Sequence, residues 1–198
     1  MRLLIMGPPG AGKGTQAGRI AEHYAIPAIS TGDIFRAMKT ADTPLAQQVR
    51  DIMASGGYVS DDITNAIVAE RLSQVDCVRG FLLDGYPRTP SQVETLDAFL
   101  AGRQEHLDAV ISLVADEDEV VERLLKRAHI DGRADDNEET VRVRQQVYAE
   151  QTAPLLDLFR TRQLLIEVDG LGPVPEVSER LFAALDQHMR GDGRPSDG

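Results

Sequence analysis

Residues 7–15 read GPPGAGKGT, and they stand directly between an apolar run at 2–6 and an amphipathic stretch at 13–24. This order predicts a buried strand, a glycine-rich loop and a helix in direct succession. Glycines let the backbone N–H groups of such a loop approach phosphate oxygens without interference from a Cβ atom. The helix N-terminus and the Lys13 side chain add positive charge. The stretch therefore predicts a phosphate-binding loop.

One position departs from the general pattern of phosphate loops. Gly14 follows the lysine where serine or threonine usually supplies a hydroxyl to magnesium, and Thr15 comes one position later. The alternative interpretation is a glycine-rich turn that binds nothing. The length of the loop, the lysine and the strand–loop–helix order disfavour that alternative.

The rest of the chain alternates in the same way. Apolar runs at 80–84, 109–114 and 164–168 are typical of further buried strands. Helical patterns lie between and after them, at 61–74, 91–102, 117–127, 138–160 and 174–188. Buried strands that alternate with helices predict an α/β fold, here a five-stranded parallel sheet flanked by helices around the phosphate loop.

Two segments interrupt this alternation and predict small mobile insertions. Residues 30–59 are long and mostly helical and end near Gly56-Gly57, whereas residues 128–137 are short and polar. The core domain is then expected to comprise residues 1–29, 60–127 and 138–188, followed by a disordered tail at 189–198. Asp136 and Glu139 fit a capping box, and Pro154 is expected to bend the helix that contains it.

Composition narrows the class of protein. The chain has 198 residues, enough for one domain with a real core. Its net charge of −11 argues against a nucleic-acid polymer as partner, although 18 of its 21 basic residues are arginines. No apolar run is long enough for a membrane helix, and the N-terminus does not fit a signal peptide. One cysteine excludes an internal disulfide, so we expect a cytoplasmic protein, and nothing demands more than a monomer.

Three further motifs accompany the phosphate loop in order along the chain. They are Ser30-Thr-Gly-Asp33 with Arg36, Asp84-Gly-Tyr-Pro-Arg88 with Gln92, and Gly132-Arg-Ala-Asp-Asp136. From residue 1 to about 188 the chain resembles the adenylate kinases, members of the nucleoside monophosphate kinase family, of the type with a short lid. The resemblance implies reversible, Mg²⁺-dependent phosphoryl transfer from ATP to AMP, which gives two ADP and serves adenine nucleotide homeostasis. Residues 30–59 would then bind AMP and residues 128–137 would form the lid.

The resemblance also implies roles for individual residues. Catalysis is expected of Lys13, Arg88, Arg123, Arg133 and Arg144. ATP is expected to contact Gly10, Ala11, Gly12, Lys13, Gly14, Thr15, Arg123, Arg127 and Gly172. AMP is expected to contact Thr31, Arg36, Gly57, Tyr58, Val59, Gly85, Tyr86, Pro87, Arg88, Gln92, Arg133 and Arg144. Arginine suits such sites because its planar fork grips phosphate through two hydrogen bonds and stays charged. By contrast, Arg19, Arg50, Arg160 and Arg180 are interpreted as solvated surface charges.

Several alternatives stay open at this point. Asp84 is the best candidate to hold Mg²⁺ through water, and the less favoured alternative is that it caps a helix or turn. Thr31 with Gln92 favours adenine, whereas a UMP/CMP kinase is the nearest alternative enzyme. A nucleotide-binding sensor would have no need for arginines at a second site, and a partner-binding structural protein would leave the phosphate loop unexplained. Structural zinc is not expected, because the predicted lid has no cysteine and His129 alone cannot hold a metal.

Overall fold

The computed structural model of the chain describes residues 1–38, 43–116, 119–120, 123–124 and 138–191. Within these ranges five strands form one sheet with the spatial order β2-β3-β1-β4-β5. The strands are β1 (Arg2–Met6), β2 (Ala28–Ser30), β3 (Phe81–Asp84), β4 (Ala109–Val114) and β5 (Leu165–Asp169). All neighbouring pairs are parallel, which confirms the predicted α/β class and the five-stranded parallel sheet.

Helices connect the strands and cover the sheet. They are α1 (Lys13–Tyr24), α2 (Thr31–Met38), α3 (Pro44–Ala54), α4 (Asp61–Leu72), α5 (Pro90–Ala101), α6 (Glu138–Val147), α7 (Leu155–Thr161) and α8 (Val174–Gly191). Two of them begin in the same way, because Thr43 and Thr89 cap α3 and α5 and each is followed by a proline. The capping hydroxyls accept backbone N–H groups that the first helical turn leaves unpaired. No helix in the described ranges has both the length and the apolar character needed to cross a membrane.

The sequence located most of these elements but missed one strand. The bounds of β1, β4 and α1 are confirmed as predicted, while the strands expected at 80–84 and 164–168 begin one residue later. The missed strand is β2, which has only three residues and pairs with β3 at the edge of the sheet. Only one side chain of β2, Ile29, is fully buried. The strand therefore has no apolar run from which it could be predicted.

The two faces of the sheet carry separate apolar cores. Because successive side chains of a strand point to opposite faces, Leu4 and Met6 of β1 pack with residues of α4, α5 and α7. Leu3 and Ile5 pack with residues of α1 and α8 on the other face. All four side chains are at most 4% exposed, so β1 is buried on both sides at the centre of the sheet.

The segment predicted as the first insertion has a small apolar cluster of its own. Phe35, Val49 and Val59 are buried together, and Ile63 and Ile67 of α4 pack against them. This cluster is distinct from the cores on the two faces of the sheet. The second predicted insertion, residues 128–137, lies outside the described residues, as does Asp136 of the predicted capping box.

The long helix predicted at 138–160 is interrupted before its proline. A π-helical turn at Tyr148–Thr152 separates α6 from α7, and the N–H of Ala153 donates to the carbonyl of Tyr148 five residues earlier, at 2.9 Å. Pro154 has no N–H to donate, and its ring clashes with the carbonyl four residues before it, so the preceding turn widens.

The start of the predicted tail needs correction. Helix α8 continues to Gly191, so residues 189–191 are helical and not part of a disordered segment. Residues 192–198 lie outside the described residues. Of the helix predicted at 117–127, the described residues 119–120 and 123–124 are helical.

The start of β3 allows a test of the pairing between the first and third strands. At Gly80 φ is +133°, and an added Cβ atom would lie 1.9 Å from the carbonyl oxygen of Met1. That oxygen accepts the N–H of Phe81 at 2.9 Å. We expect Gly80→Ala to lower the free energy of unfolding by about 2 kcal/mol or more in urea denaturation, through strain and loss of this contact.

Gly18→Ala is the matched control for this variant. Gly18 lies inside α1, and an added Cβ atom there has no neighbour within 4 Å. The control is expected to raise the free energy of unfolding by about 1 kcal/mol, because alanine favours the helix. Equal stability of the two alanine variants would contradict the close approach at Gly80.

Candidate active site

A cavity of about 780 Å³ opens at the carboxyl ends of the parallel strands. Its walls come from the loop after β1, the loop after β3, the end of the first insertion, the face of α6 with the π-turn, and the loop after β5. Ligands of open parallel sheets bind at this edge. The size suits a ligand larger than a single phosphate.

The predicted phosphate loop forms one wall of the cavity, between β1 and α1 as the sequence indicated. Gly12 has φ of +90°, and no atom of the described residues lies within 4 Å of an added Cβ. The backbone at this position is therefore not covered by other groups of those residues. Lys13 Nζ donates to the carbonyls of Gly7 and Pro8, at 2.7 and 2.8 Å. Its ammonium group is thereby held over the loop. Gln145 of α6 donates to the carbonyl of Pro9 at 2.9 Å and ties the loop to that helix.

Asp84 ends β3 on the floor of the cavity. Removal of its carboxyl group from water raises its pKa, while the positive charges of Lys13 and Arg88 act in the opposite direction. Its Oδ2 atom lies 3.8 Å from where a Cβ of Gly14 would be. The carboxyl group therefore faces the start of α1. A perturbed carboxyl group in a cleft beside two cations is a typical feature of functional sites.

The chemistry of this wall fits a magnesium ion bound largely through water and phosphate. Mg²⁺ prefers oxygen ligands and usually takes only one or two carboxylates from the protein. Asp84 offers such a carboxylate, and Asp33, whose charge raises the pKa of Asp84, also lines the cavity. Across the described ranges, no group of three or more His, Cys, Asp or Glu side chains could enclose a metal ion.

Arg88, in the loop after β3, lines the cavity and is held from several sides. Its Nε donates to the carbonyl of Gly85 at 2.6 Å, and its guanidinium carbon lies 4.6 Å from the centre of the Tyr58 ring. Arg36 of α2 also lines this part of the cavity and pairs with Asp33. Arg36 and Arg88, which are both expected to contact AMP, therefore line the same cavity.

Thr31 and Gln92, which the sequence assigned to contacts with a base, do not line the cavity. Each is 1% exposed. The Gln92 amide accepts the N–H of Arg88 at 2.7 Å and donates to Asp61 at 2.8 Å, while the Thr31 hydroxyl donates to the carbonyl of Gly85 at 2.9 Å. In this arrangement their polar atoms support the loop after β3 instead of facing the cavity.

The other residues expected at this end surround the cavity. Gly57, Tyr58, Val59, Gly85, Tyr86 and Pro87 all contribute to its wall. The Tyr86 side chain is buried, its hydroxyl donates to Asn65 at 2.7 Å, and burial raises its pKa. Tyr86 can therefore offer the cavity little besides its backbone.

Another part of the cavity wall joins two segments far apart in sequence. Arg123 donates to the carbonyl of Gly170 at 3.2 Å and pairs with Glu119 at 2.5 Å. Gly172, with φ of +107°, lies two residues further along the same loop and lines the cavity. Arg123 and Gly172, predicted to contact one nucleotide, thus belong to one wall.

Arg180 is a surface residue, as the sequence predicts, with its side chain 37% exposed. In addition, its guanidinium group donates to the carbonyls of Asp169 and Leu171 and pairs with the Asp169 carboxylate. It therefore holds the loop that carries Gly172 against α8. No local motif marks this role, because α8 follows that loop and only the fold brings the side chain back onto it.

Sequence reasoning also missed side chains on the helical wall. Arg144 was predicted, and it lines the cavity together with Tyr148 and Thr152, which follow it at intervals of four residues. Residues four apart lie on one face of a helix, so this spacing could have indicated that Tyr148 and Thr152 share the face of Arg144. Burial raises the pKa of Tyr148 to about 12, so its hydroxyl stays protonated at neutral pH. Val174, at the start of α8, lines the cavity and is 42% exposed. Arg127 and Arg133 lie outside the described residues.

Comparison with known proteins agrees with this arrangement. A model of the adenylate kinase family matches residues 5–164, a range that includes the phosphate loop, Asp84 and Arg88. An adenylate kinase of Nocardioides sp. is 58% identical over 186 residues, 94% of this chain and 97% of the relative. One of Clavibacter michiganensis is 60% identical over 184 residues, 93% of this chain and 92% of the relative. One of Thermobifida fusca is 52% identical over 185 residues, 93% of this chain and 98% of the relative. With matches of this extent across the sheet and the cavity, the chain belongs to the adenylate kinase family.

Proposed function

We propose that this protein catalyses the reversible, Mg²⁺-dependent transfer of a phosphoryl group from ATP to AMP, giving two ADP, and so balances the adenine nucleotides. One observation carries the proposal. A single cavity has a phosphate loop with Lys13 on one wall and a second pair of phosphate-binding candidates, Arg36 and Arg88, on another. One phosphate site would serve a nucleotide-binding protein, whereas two sites in one cavity serve transfer between nucleotides.

The donor ATP takes the wall formed by the phosphate loop and the loop after β5. Backbone N–H groups of residues 10–15 and the N-terminus of α1 bind its phosphates. Arg123, which donates to the carbonyl of Gly170, is proposed to approach those phosphates. The backbone at Gly172 and the apolar side chain of Val174 receive the base. Arg127 is proposed to contact the same phosphates.

The acceptor AMP takes the wall near the first insertion, residues 30–59. Arg36 and Arg88 bind its phosphate, and the backbone of residues 57–59 and of Gly85 contacts its base and ribose. A contact between Gln92 and the adenine requires the amide to exchange its hydrogen bond with Asp61 for one with the base. Thr31 is proposed to contact AMP close to Gln92.

The chemistry consists of charge stabilisation and alignment. The acceptor phosphate is ionised at neutral pH, so no general base is required. Lys13 follows the transferred group, and Arg123, Arg133 and Arg144 stabilise the charge that spreads over its oxygens. Mg²⁺, when bound beside Asp84 through water, neutralises charge on the phosphates. Residues 128–137 are proposed to close over the nucleotides as a lid and exclude water.

Phosphorus NMR of the protein with Mg²⁺, ATP and one acceptor tests the reaction and the choice of base together. AMP, UMP and CMP are supplied in separate samples. We expect ADP to form rapidly in the sample that contains AMP and not in those that contain UMP or CMP. Faster turnover with UMP or CMP would assign the protein to the pyrimidine nucleotide kinases. Slow release of free phosphate that is independent of the acceptor would refute the proposed function.

Two substitutions test the assignment of the phosphate-binding side chains. Lys13→Ala and Arg88→Ala should each lower kcat by about 10²–10⁵-fold, because each removes a charge from the site of transfer. Circular dichroism should show an unchanged fold. Arg160→Ala is the matched control, since Arg160 pairs with Asp157 and Glu167 on the surface. Turnover close to wild type in either test variant would contradict the assigned roles.

Asp84→Asn separates the function of the carboxylate from its effect on stability. The pKa of Asp84 is raised in the folded protein above its ordinary value of 3.8, so ionisation of this group favours unfolding. The penalty grows as the pH rises from that value through the raised pKa, and it is present in full at higher pH. We therefore expect the variant without nucleotide to melt at a higher temperature than wild type at pH above the raised pKa. The difference should shrink as the pH falls toward the ordinary carboxyl value.

The same substitution should lower the Mg²⁺-dependent rate of ADP formation, because the neutral amide attracts the hydrated ion less. Glu94→Gln, which changes an exposed carboxylate on α5, serves as the control and should alter neither property. A lower melting temperature for Asp84→Asn at neutral pH would contradict this expectation. It would mean that the attraction between the carboxylate and the charges of Lys13 and Arg88 stabilises the fold by more than burial of the carboxylate costs.

We also propose that the protein acts as a monomer in the cytoplasm. Both phosphate-binding walls come from one chain, so the reaction needs no second copy. Light scattering during turnover measures the molecular mass and so checks the oligomeric state. Activity that rises with the concentration of a dimer would contradict the proposed monomer.

A further inference from the structure

The π-turn between α6 and α7 places one hydroxyl against the acceptor wall. Thr152 is the last residue of this turn, and its side chain is 5% exposed yet lines the cavity. Single π-turns within long helices often occur at functional sites. Nothing in the proposed reaction uses Thr152, so its buried hydroxyl needs a separate explanation.

The hydroxyl forms the middle of a directed chain of hydrogen bonds. Thr152 Oγ1 donates to the backbone carbonyl of Arg88 at 3.0 Å. A threonine hydroxyl has only one proton, so toward Tyr58 the same oxygen can only accept. The Tyr58 hydroxyl lies 2.9 Å away and is therefore the donor. The chain runs from the Tyr58 O–H through the Thr152 O–H to the Arg88 carbonyl.

The same tyrosine also contacts the functional end of Arg88. Its ring lies 4.6 Å from the guanidinium carbon, at the distance of a cation–π interaction. The Tyr58–Thr152 pair thus holds Arg88 at its backbone through Thr152 and at its charged group through the ring. The guanidinium Nε is directed back to the carbonyl of Gly85 at 2.6 Å. Little freedom remains for Arg88 to turn away from the cavity.

Neighbouring contacts dock the end of the first insertion on the same helical face. A Cβ atom added at Gly56 would lie 3.1 Å from the carbonyl oxygen of Thr140 and 3.2 Å from the Arg144 side chain. The Thr140 hydroxyl is directed to the carbonyl of Ala54 at 3.4 Å. The Tyr58–Thr152 hydrogen bond is therefore part of an interface between the insertion and the helix.

We propose that Thr152 is a positioning residue that, through Tyr58, orients Arg88 toward the phosphate of the acceptor nucleotide. The inference rests on the proposed function in assigning Arg88 to that phosphate. Loss of the Thr152 hydroxyl leaves the Arg88 carbonyl and the Tyr58 hydroxyl without this partner in a half-buried place, so the arginine and the tyrosine ring both become free to shift. The donor site does not include this chain of hydrogen bonds and is unaffected.

Steady-state kinetics of Thr152→Val test this role, since valine keeps the shape and removes the hydroxyl. We expect KM for AMP to rise by about 5- to 50-fold while KM for ATP stays at the wild-type value. Thr152→Ser, which keeps the hydroxyl, should restore most of the affinity for AMP. Tyr58→Phe keeps the ring and should raise KM for AMP as well. The double variant should be little worse than Thr152→Val, because both changes break one chain.

Thr161→Val is the matched control. The Thr161 hydroxyl donates to the carbonyl of Asp157 on an exposed part of α7, so its loss should leave both KM values unchanged. If Thr152→Val raises both KM values equally, or alters only the melting temperature, Thr152 supports the helix and does not position Arg88. Additive effects of the two single substitutions would likewise overturn the proposed chain.

A readout without nucleotide separates this inference from the proposed function. In nitrogen-15 NMR we expect the Arg88 Nε–H to exchange slowly with water in the wild type and in Thr152→Ser. It should exchange at least about tenfold faster in Thr152→Val, because its bond to Gly85 opens more often. Unchanged exchange in Thr152→Val refutes the positioning role. Failure of the wild type to form ADP refutes only the proposed function.

Discussion

The burial of β1 on both faces is the constraint on which the rest of the structure depends. Leu3 and Ile5 pack on one face and Leu4 and Met6 on the other, so the strand cannot change register without exposing one set. Its end is therefore fixed, and the loop that follows can begin only at Gly7. Because β3 and β4 pair with β1 in parallel, their carboxyl ends reach the same edge. The convergence of these ends creates the cavity.

The buried Asp84 carboxylate at this edge opposes stability, and the positive charges beside it suit phosphate chemistry. Burial raises the pKa of Asp84, which means that its ionised form is disfavoured in the folded protein. Lys13 turns its ammonium group onto the carbonyls of its own loop, and Arg36 pairs with Asp33. These contacts partly satisfy charged groups that a nucleotide would otherwise engage. Lys13 and Arg36 thus have hydrogen-bonding partners within the protein, at a site that is proposed to bind several negative charges.

Backbone carbonyls position the arginines of the cavity. Arg88 is directed by Gly85, Arg123 by Gly170, and Arg180 holds the loop of Gly172 through two carbonyls. At Arg88 the carbonyl accepts a hydrogen bond without neutralising the guanidinium charge, so this arginine remains attractive to phosphate, whereas Arg123 also pairs with the Glu119 carboxylate. Such preorganisation lowers the entropy that binding has to overcome. Thr152 extends the same principle from the side chain of Arg88 to its backbone.

Local pattern in the sequence determined the elements whose signal is contained in a few neighbouring residues. The phosphate loop, β1, α1 and β4 could be predicted because glycine spacing and apolar runs reflect steric and burial requirements of the segment itself. The motifs around Arg36 and Arg88 likewise indicated a second phosphate-binding wall. Even Pro154 marked the place where the helix changes, since its missing N–H is a local property.

Only the tertiary structure decided what depends on partners distant in the chain. The strand β2 is too short to show an apolar pattern and exists because β3 offers it hydrogen bonds. Gln92 is expected to contact the base, and in the structure its amide is directed to Asp61 and to the Arg88 backbone, contacts that no local spacing predicts. Arg180 and Thr152 act on loops 9 and 64 residues away. A side chain's role is set by the group that folding brings to it, and that group is absent from its own neighbourhood in the sequence.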